Sequence, residues 1–390
     1  MFDANDALER IRSTIGHDGT FVPLHEPRFV GREVDYVTEC IETGWVSSVG
    51  AFVDRFEEDL ARTFEMKHAV AVVNGTAALH LALILAGVTR DDEVLVPALT
   101  FIASANAIAY CGAVPHFCDS EEATLGLDAA ALATHLEDIA ELREGNAVNR
   151  ETGRTIRAVI PMHCFGHPCE MDALVAVCTR WNIAIIEDAA EAVGSRKNGR
   201  PIGHHGRMAT LSFNGNKIMT TGGGGAILTN DPELAKRAKY LSTTAKRPHP
   251  YEFHHDEVGY NYRLPNINAA LGVAQLETLP DFLSAKRALA KRYQTAFADF
   301  AGGKIFTDQS DVESNYWLVA LILEEGDVAT RDTFLKLSND AGVMTRPIWT
   351  LMQRLPMYTH CPRMPLPVAE SLEARIINVP SSVRHGVEAT

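Results

Sequence analysis

Short apolar runs, each followed by a helical pattern, set the rhythm of the first two thirds of the chain. The runs are HAVAVV (68–73), DEVLVP (92–97), AVPHFC (113–118), RAVIPMHC (157–164), IAIIED (183–188), MATLSF (208–213) and GAILTN (225–230). Rich in Val, Ile and Ala and too short for core helices, they predict strands buried on both faces. Helical patterns such as Thr76 to Gly87 and Asp172 to Trp181 separate several of them. This alternation predicts an α/β fold, with a mostly parallel seven-stranded sheet covered by helices. After Pro248 and Pro250 the pattern changes to a long helical stretch from about Asn266 to Phe300, the run NYWLVALIL (315–323) and a Pro-rich tail. The expected organisation is an N-terminal helix and a large α/β domain over 1–250, then a smaller α+β domain over 251–390.

Composition narrows the function. The 390 residues are 46% hydrophobic and 22% charged, enough apolar material for a large core. With 50 Asp plus Glu against 36 Lys plus Arg, the formal charge is −14. The average surface therefore repels phosphate backbones, and a nucleic-acid role is not expected. The seven cysteines are odd in number, and the closely spaced pairs Cys164–Cys169 and Cys111–Cys118 lack the spacing of zinc or redox motifs. Reduced cytosolic thiols are expected. The start MFDANDALERIRSTIGHDG has no basic region followed by an apolar core, and no stretch is apolar enough to span a membrane. A cytoplasmic protein without membrane contact is the expectation.

Ligands of doubly wound sheets sit at the carboxyl ends of strands, and three such ends carry suggestive residues. VVNGTAAL places Asn-Gly-Thr where a strand ends and a helix begins, so that backbone N–H groups, a hydroxyl and the helix dipole face an anion. An ordinary capped turn has the same residues. IAIIEDAAEAVGS delivers Glu187, Asp188 and Glu191. A carboxylate at a buried strand end can keep a ring nitrogen protonated, as pyridoxal phosphate (PLP) requires, although Asp188 could equally cap the next helix. SFNGNKIMTTGGGG (212–225) sets Lys217 among small and apolar residues before four glycines. A lysine there can form a Schiff base, with a solvated loop lysine as the plain alternative. The glycine run matches no Walker loop and suits close backbone approach beside a ligand. Phosphate seat, ring-nitrogen partner and reactive lysine in one chain are far more specific together than apart.

The chain resembles the sugar aminotransferases of the DegT/DnrJ/EryC1/StrS family, fold-type I PLP-dependent transferases, from about Pro23 onward. The resemblance is carried by GWVSSVGAFVDRFE (44–57), NGTAALHLAL (74–83), PALTFIASANAI (97–108), EDAAEAVGS (187–195), SFNGNKIMTTGGGG and GYNYRLPNINAALG (259–272). It implies Lys217 as the lysine bonded to the cofactor and Asp188 on the pyridine nitrogen. It further implies Gly75, Thr76 and Ser212 on the phosphate, Phe101 on the ring face, and Asn261 reaching the phosphate of a partner subunit, hence a homodimer with shared sites. Many members have Gln where this chain has Glu191. An ionised carboxylate would repel the cofactor's phenolic oxygen, so Glu191 must be protonated, turned away or paired.

Glu191, TRPIW (345–349) and the extra N-terminal helix resemble the LegC-like branch, which implies transfer of an amino group from L-glutamate to C4 of a UDP-linked 4-keto-6-deoxy-N-acetylhexosamine. Arg263 and Arg346 are candidates for anionic substrate groups, and Lys246 and Arg247 for the pyrophosphate, with a solvated basic loop as their alternative. Trp349 and Tyr316 either line a pocket or pack a core. His163 near the site is as readily structural as catalytic. The adjacent pairs His204–His205 and His254–His255 cannot share a helical face, and no metal is expected. A PLP-dependent deoxygenase or eliminase and a non-catalytic sugar-nucleotide-binding regulator are the alternatives. The first is disfavoured by the lysine, since those relatives carry histidine there, and the second by the absence of a DNA-binding segment.

Overall fold

The computed structural model describes residues 2–324 and 328–387. All seven apolar runs become strands of one sheet: β1 (His68–Val72), β2 (Glu93–Pro97), β3 (Val114–Cys118), β4 (Ile156–Val159), β5 (Ala184–Asp188), β6 (Met208–Ser212) and β7 (Gly225–Thr229), in the order β1-β7-β6-β5-β4-β2-β3. Neighbours are parallel except that β7 runs antiparallel to β1 and β6. A loop rather than a crossover helix joins β6 to β7, so the chain can only turn back. The run RAVIPMHC is strand only as far as Val159. Pro161 has no N–H to give a ladder, and only a single bridge, Met162 to Asp188 of β5, follows before the chain turns at Phe165, whose φ is 54°.

Helices α1 (Ala4–Ile15), α2 (Glu33–Thr43), α3 (Ala51–Thr63), α4 (Gly75–Leu85) and α5 (Ile102–Tyr110) precede or cover this sheet. Asn74 caps α4 by accepting the Ala77 N–H at 2.8 Å, which starts the helix right at the end of β1. The expected long helix is α9 in the full chain order; α6 (Ala129–Ile139), α7 (Met171–Trp181) and α8 (Pro232–Ser242) come before it, and α9 itself spans Asn266–Ala296. Its first half packs on α2 and α3, with Ala269, Ala270, Val273 and Ala274 in the large core. At Gly272 a β-carbon would lie 2.6 Å from the Phe56 ring and 2.8 Å from Thr221, so only glycine lets the helix pass this close.

The second half of α9 enters a separate, smaller core through Leu289, Ala290 and Tyr293. There it meets a four-stranded antiparallel sheet of β8 (Gly303–Ile305), β9 (Val319–Leu323), β10 (Arg346–Pro347) and β11 (Ile376–Val379), ordered β8-β9-β11-β10. Packing departs from the expected division of the chain at one end. The sequence grouped α1 with the sheet domain, but Ala7, Leu8, Ile11 and Ile15 are buried in this smaller core. The apolar stripe of α1 matches the exposed flank of α9, which the linear pattern does not reveal. No helix among the described residues is long and apolar enough to cross a membrane.

Candidate active site

The carboxyl ends of β1, β5 and β6 open into a cavity of about 1000 Å³ between the two cores. Gly75, Thr76, Phe101, Asp188, Glu191, Ser212, Lys217 and Arg346 all line it. At one end, the first turn of α4 presents amides that no preceding helical carbonyl can pair. A β-carbon on Gly75 would lie 2.8 Å from Cβ of Ser212, and one on Gly225 only 2.5 Å from the carbonyl carbon of Asn74. The glycines thus let strand β7, the Ser212 hydroxyl and the α4 N-terminus close around one small anion-sized seat.

Lys217 sits in the β6–β7 loop, which is braced from several sides. Its own N–H donates to Asn214 O at 3.0 Å, the Thr221 N–H to Phe213 O at 3.0 Å, and the Thr220 N–H to Gln275 Oε1 of α9 at 3.2 Å. The amine is directed inward: Nζ lies 3.3 Å from Glu191 Oε1 and 3.7 Å from the centroid of the Trp317 ring. Trp317 is itself fixed by its Nε1–H, which donates to Asn216 O at 2.7 Å. The Glu191 question posed by the sequence is answered here by pairing.

Strand alternation sends Glu187 and Asp188 to opposite faces of the sheet, and Glu191 follows in the turn beyond the strand. Glu187 points away from the cavity and accepts the N–H groups of Gly203, His205 and Gly206 at 2.9, 2.7 and 2.8 Å. Burial works against its ionised form, but the hydrogen bonds from His163 and those amides outweigh it and hold the carboxyl below the ordinary carboxylate range. His163 accepts the Cys169 N–H at Nδ1 (3.1 Å) and so donates through Nε2 to Glu187 as a neutral ring; it is structural. Asp188 faces the cavity, accepting from Ser104 Oγ at 2.7 Å and the Ala190 N–H at 3.2 Å. Burial pushes its carboxyl up, and these bonds and Lys217 pull it part of the way back. Burial likewise pushes Glu191 up to about 7, against the pull of Lys217 and of the Phe165 N–H on Oε2 at 2.9 Å.

Phe101, half exposed, forms a wall with Trp349, their ring centroids 6.4 Å apart. Arg346 reaches the cavity from β10, and no hydrogen bond or ion pair engages its guanidinium among the described residues. Four candidates lie elsewhere in this chain. Asn261 is exposed and accepts from Arg263 Nη2 at 3.1 Å. Lys246 stands 4.3 Å over the Phe253 ring and Arg247 pairs with Asp256, both on an exposed two-strand hairpin. Tyr316 is buried in the smaller core, whereas Trp349 lines the cavity. No group of His, Cys, Asp and Glu suited to a metal occurs among the described residues. Sequence reasoning missed Ser104, Trp317 and His25. The His25 ring lines the cavity with neither nitrogen hydrogen-bonded among the described residues.

An anion seat at a helix N-terminus, a buried carboxylate and an enclosed lysine amine are the donor set that PLP requires for its phosphate, ring nitrogen and carbonyl carbon. They define a PLP-dependent enzyme of the aminotransferase fold. The chain belongs to the DegT/DnrJ/EryC1/StrS aminotransferase family, whose sequence profile matches residues 28–389. It is 40% identical over 362 residues to the GDP-perosamine synthase of Caulobacter vibrioides, covering 92% of this chain and 93% of that one. The aminotransferase TlmJ from Streptoalloteichus hindustanus superposes with a TM-score of 0.83 at 28% identity, over 93% of each chain. Spr1654 from Streptococcus pneumoniae, solved in its PLP form, has the same fold, with a TM-score of 0.83 at 24% identity over 93% of each chain. The protein is a PLP-dependent sugar aminotransferase.

Proposed function

We propose that the enzyme transfers the amino group of L-glutamate to C4 of a nucleotide-linked 4-keto-6-deoxy sugar. The observation that carries the reading is the convergence of Lys217, Asp188 and the α4 N-terminus on one cavity large enough for cofactor and sugar together. PLP, when bound, supplies an electron sink for the carbon that loses its proton. The chain's own groups do the rest. Gly75, Thr76 and Ser212 hold the phosphate, and Asp188 keeps the ring nitrogen protonated by placing an anion beside it. Phe101 covers the ring face. Lys217 would hold the cofactor at its carbonyl carbon, and its amine, when free, would carry the proton that the substrate carbon gives up. Arg346, whose guanidinium has no hydrogen bond or ion pair among the described residues, takes an anionic group of the donor or the nucleotide sugar.

Asn261 and Arg263 complete the phosphate and substrate sites of the neighbouring subunit in a homodimer, and Lys246 and Arg247 extend toward the pyrophosphate across that interface. Exposed apolar side chains support such a partner: Phe29, Val30, Val34, Ile41, Trp45 and Val49 follow one another along residues 29–49. The motifs of the LegC-like branch favour a UDP-linked N-acetyl sugar, and the name of the Caulobacter vibrioides relative favours a GDP-linked one. Offering L-glutamate with UDP-, GDP- and dTDP-linked 4-keto sugars, while following 2-oxoglutarate and identifying each amino sugar, decides the nucleotide. No turnover of any keto sugar would refute the reading.

A further inference from the structure

An amine attacks carbon only as the free base, so the Lys217 ammonium must first give up a proton. Its side chain is 11% exposed, and the carboxylate 3.3 Å from Nζ belongs to a side chain 2% exposed, so bulk water is a poor acceptor here. Moving the proton across converts a buried ion pair into a buried neutral pair, a change that low dielectric favours. We propose that Glu191 is the resident proton acceptor of Lys217: it takes the proton from Nζ when the amine must be nucleophilic and returns it when the amine must be an acid. In this step one N–H bond breaks with its electrons staying on nitrogen, and one O–H bond forms on Oε1. No charge leaves the pair, and nothing is oxidised or reduced. The inference rests on the reading of Lys217 as the reactive lysine.

The surroundings suit a single exchangeable proton. Glu191 Oε2 is committed to the Phe165 N–H at 2.9 Å, which leaves Oε1 for Lys217. Asp188 faces the same pair as a like charge and is engaged by Ser104 and Ala190. Cys164 lies beside Glu191, but burial and the glutamate's charge keep its thiol protonated. His163, behind Asp188, is neutral and tied to Glu187. Across Lys217, His25 is held neutral by burial and by the charges of Lys286 and Lys217. A Glu191 carboxyl at about 7 can hold or release the proton near neutral pH with little cost either way.

The test uses the full-length chain before PLP is added, with Lys217 labelled by acetic anhydride across a pH series and read by mass spectrometry. Glu191→Gln should change the pH dependence of Lys217 labelling, because an opposite charge is lost 3.3 Å from Nζ. Glu191→Asp should move it back toward the wild-type profile, and other lysines should not change. Should Glu191→Gln not fold, Lys217→Met reads the pair from the other side. Its infrared spectrum above pH 8 should show a protonated carboxyl band that wild type has lost at that pH and that Lys217→Met/Glu191→Gln lacks. An unchanged labelling midpoint, or an ionised Glu191 in Lys217→Met, would overturn the proposal. Failure of borohydride to fix PLP on Lys217 would instead overturn the aminotransferase roles and leave the pair's titration as measured.

Discussion

The hydroxyl of Ser104 donates to Oδ2 of Asp188 at 2.7 Å, from the first turn of α5 to the last residue of β5. That bond fixes the rotamer of the carboxylate assigned to the cofactor's ring nitrogen. Thr100 Oγ1 lies 3.2 Å from the same Ser104 hydroxyl and extends the support. Ser104→Ala should therefore leave the fold intact and cut turnover about tenfold, the effect of one hydrogen bond to a charged group. Steady-state kinetics beside a thermal melt checks it; unchanged kcat would remove Ser104 from the site.

Adjacent carboxylates should respond in opposite ways. Asp188→Asn keeps its neighbours' hydrogen bonds but loses the charge, so activity should fall about 100-fold with the melting temperature nearly unchanged. Glu187→Gln leaves amides of the 203–206 loop and His163 without their anion, and should destabilise by about 3 kcal/mol or more. Comparing melts and turnover of the two variants separates the roles.

The seven strands were legible because fully buried parallel strands show as apolar runs regardless of context. Lys217, Asp188 and the Asn74–Thr76 turn could be picked out because each lies near a strand end beside a recognisable run, and all three line one cavity. Ser104 was not, since one serine inside an Ala-rich helix gives no sign of the strand it will face. Trp317 and His25 reach the cavity from segments about 100 and 190 residues from Lys217 in sequence, and only long-range packing, for Trp317 in the large core, brings them in. Packing in the smaller core, invisible to periodicity, moved α1 to its place beside α9.

Buried Glu191 also makes a pH signature. Its carboxyl is raised from the ordinary 4.5 to about 7, so between those values the folded chain holds a proton that the unfolded chain has lost. Stability contributed by the protonated group is present below 4.5 and is lost as pH rises through 7, amounting to about 3 kcal/mol. Glu191→Gln lacks this loss. Relative to wild type it should gain stability between pH 5 and pH 8, measured by urea unfolding at each pH; a constant difference would contradict the buried titration.

The glycine run should tolerate no side chain where it meets the phosphate turn. In Gly225→Ala the new β-carbon would fall 2.5 Å from the Asn74 carbonyl carbon, forcing β7 and the α4 N-terminus apart. PLP affinity should drop at least about tenfold with about 1–3 kcal/mol of stability. Fluorescence titration with PLP reads the first and chemical unfolding the second. Wild-type affinity would place the phosphate elsewhere.

The proposed sharing of the site between subunits would make assembly a condition of activity. Asn261→Ala should weaken PLP binding although Asn261 does not line this chain's own cavity. Mixing Asn261→Ala with inactive Lys217→Ala should restore part of the activity, because in each mixed dimer one site receives a wild-type lysine and a wild-type asparagine. No recovery after subunit exchange would contradict the shared site.

The most direct measurement is a peptide map of the full-length protein after incubation with PLP and reduction with borohydride. Lys217 is the buried amine aimed at the cavity that also holds Asp188 and the α4 N-terminus. One modified peptide, the one containing Lys217, is expected, with the label absent from Lys217→Ala. Label on a different lysine, or none at saturating PLP, would contradict the assignment of Lys217 as the residue that carries the chemistry.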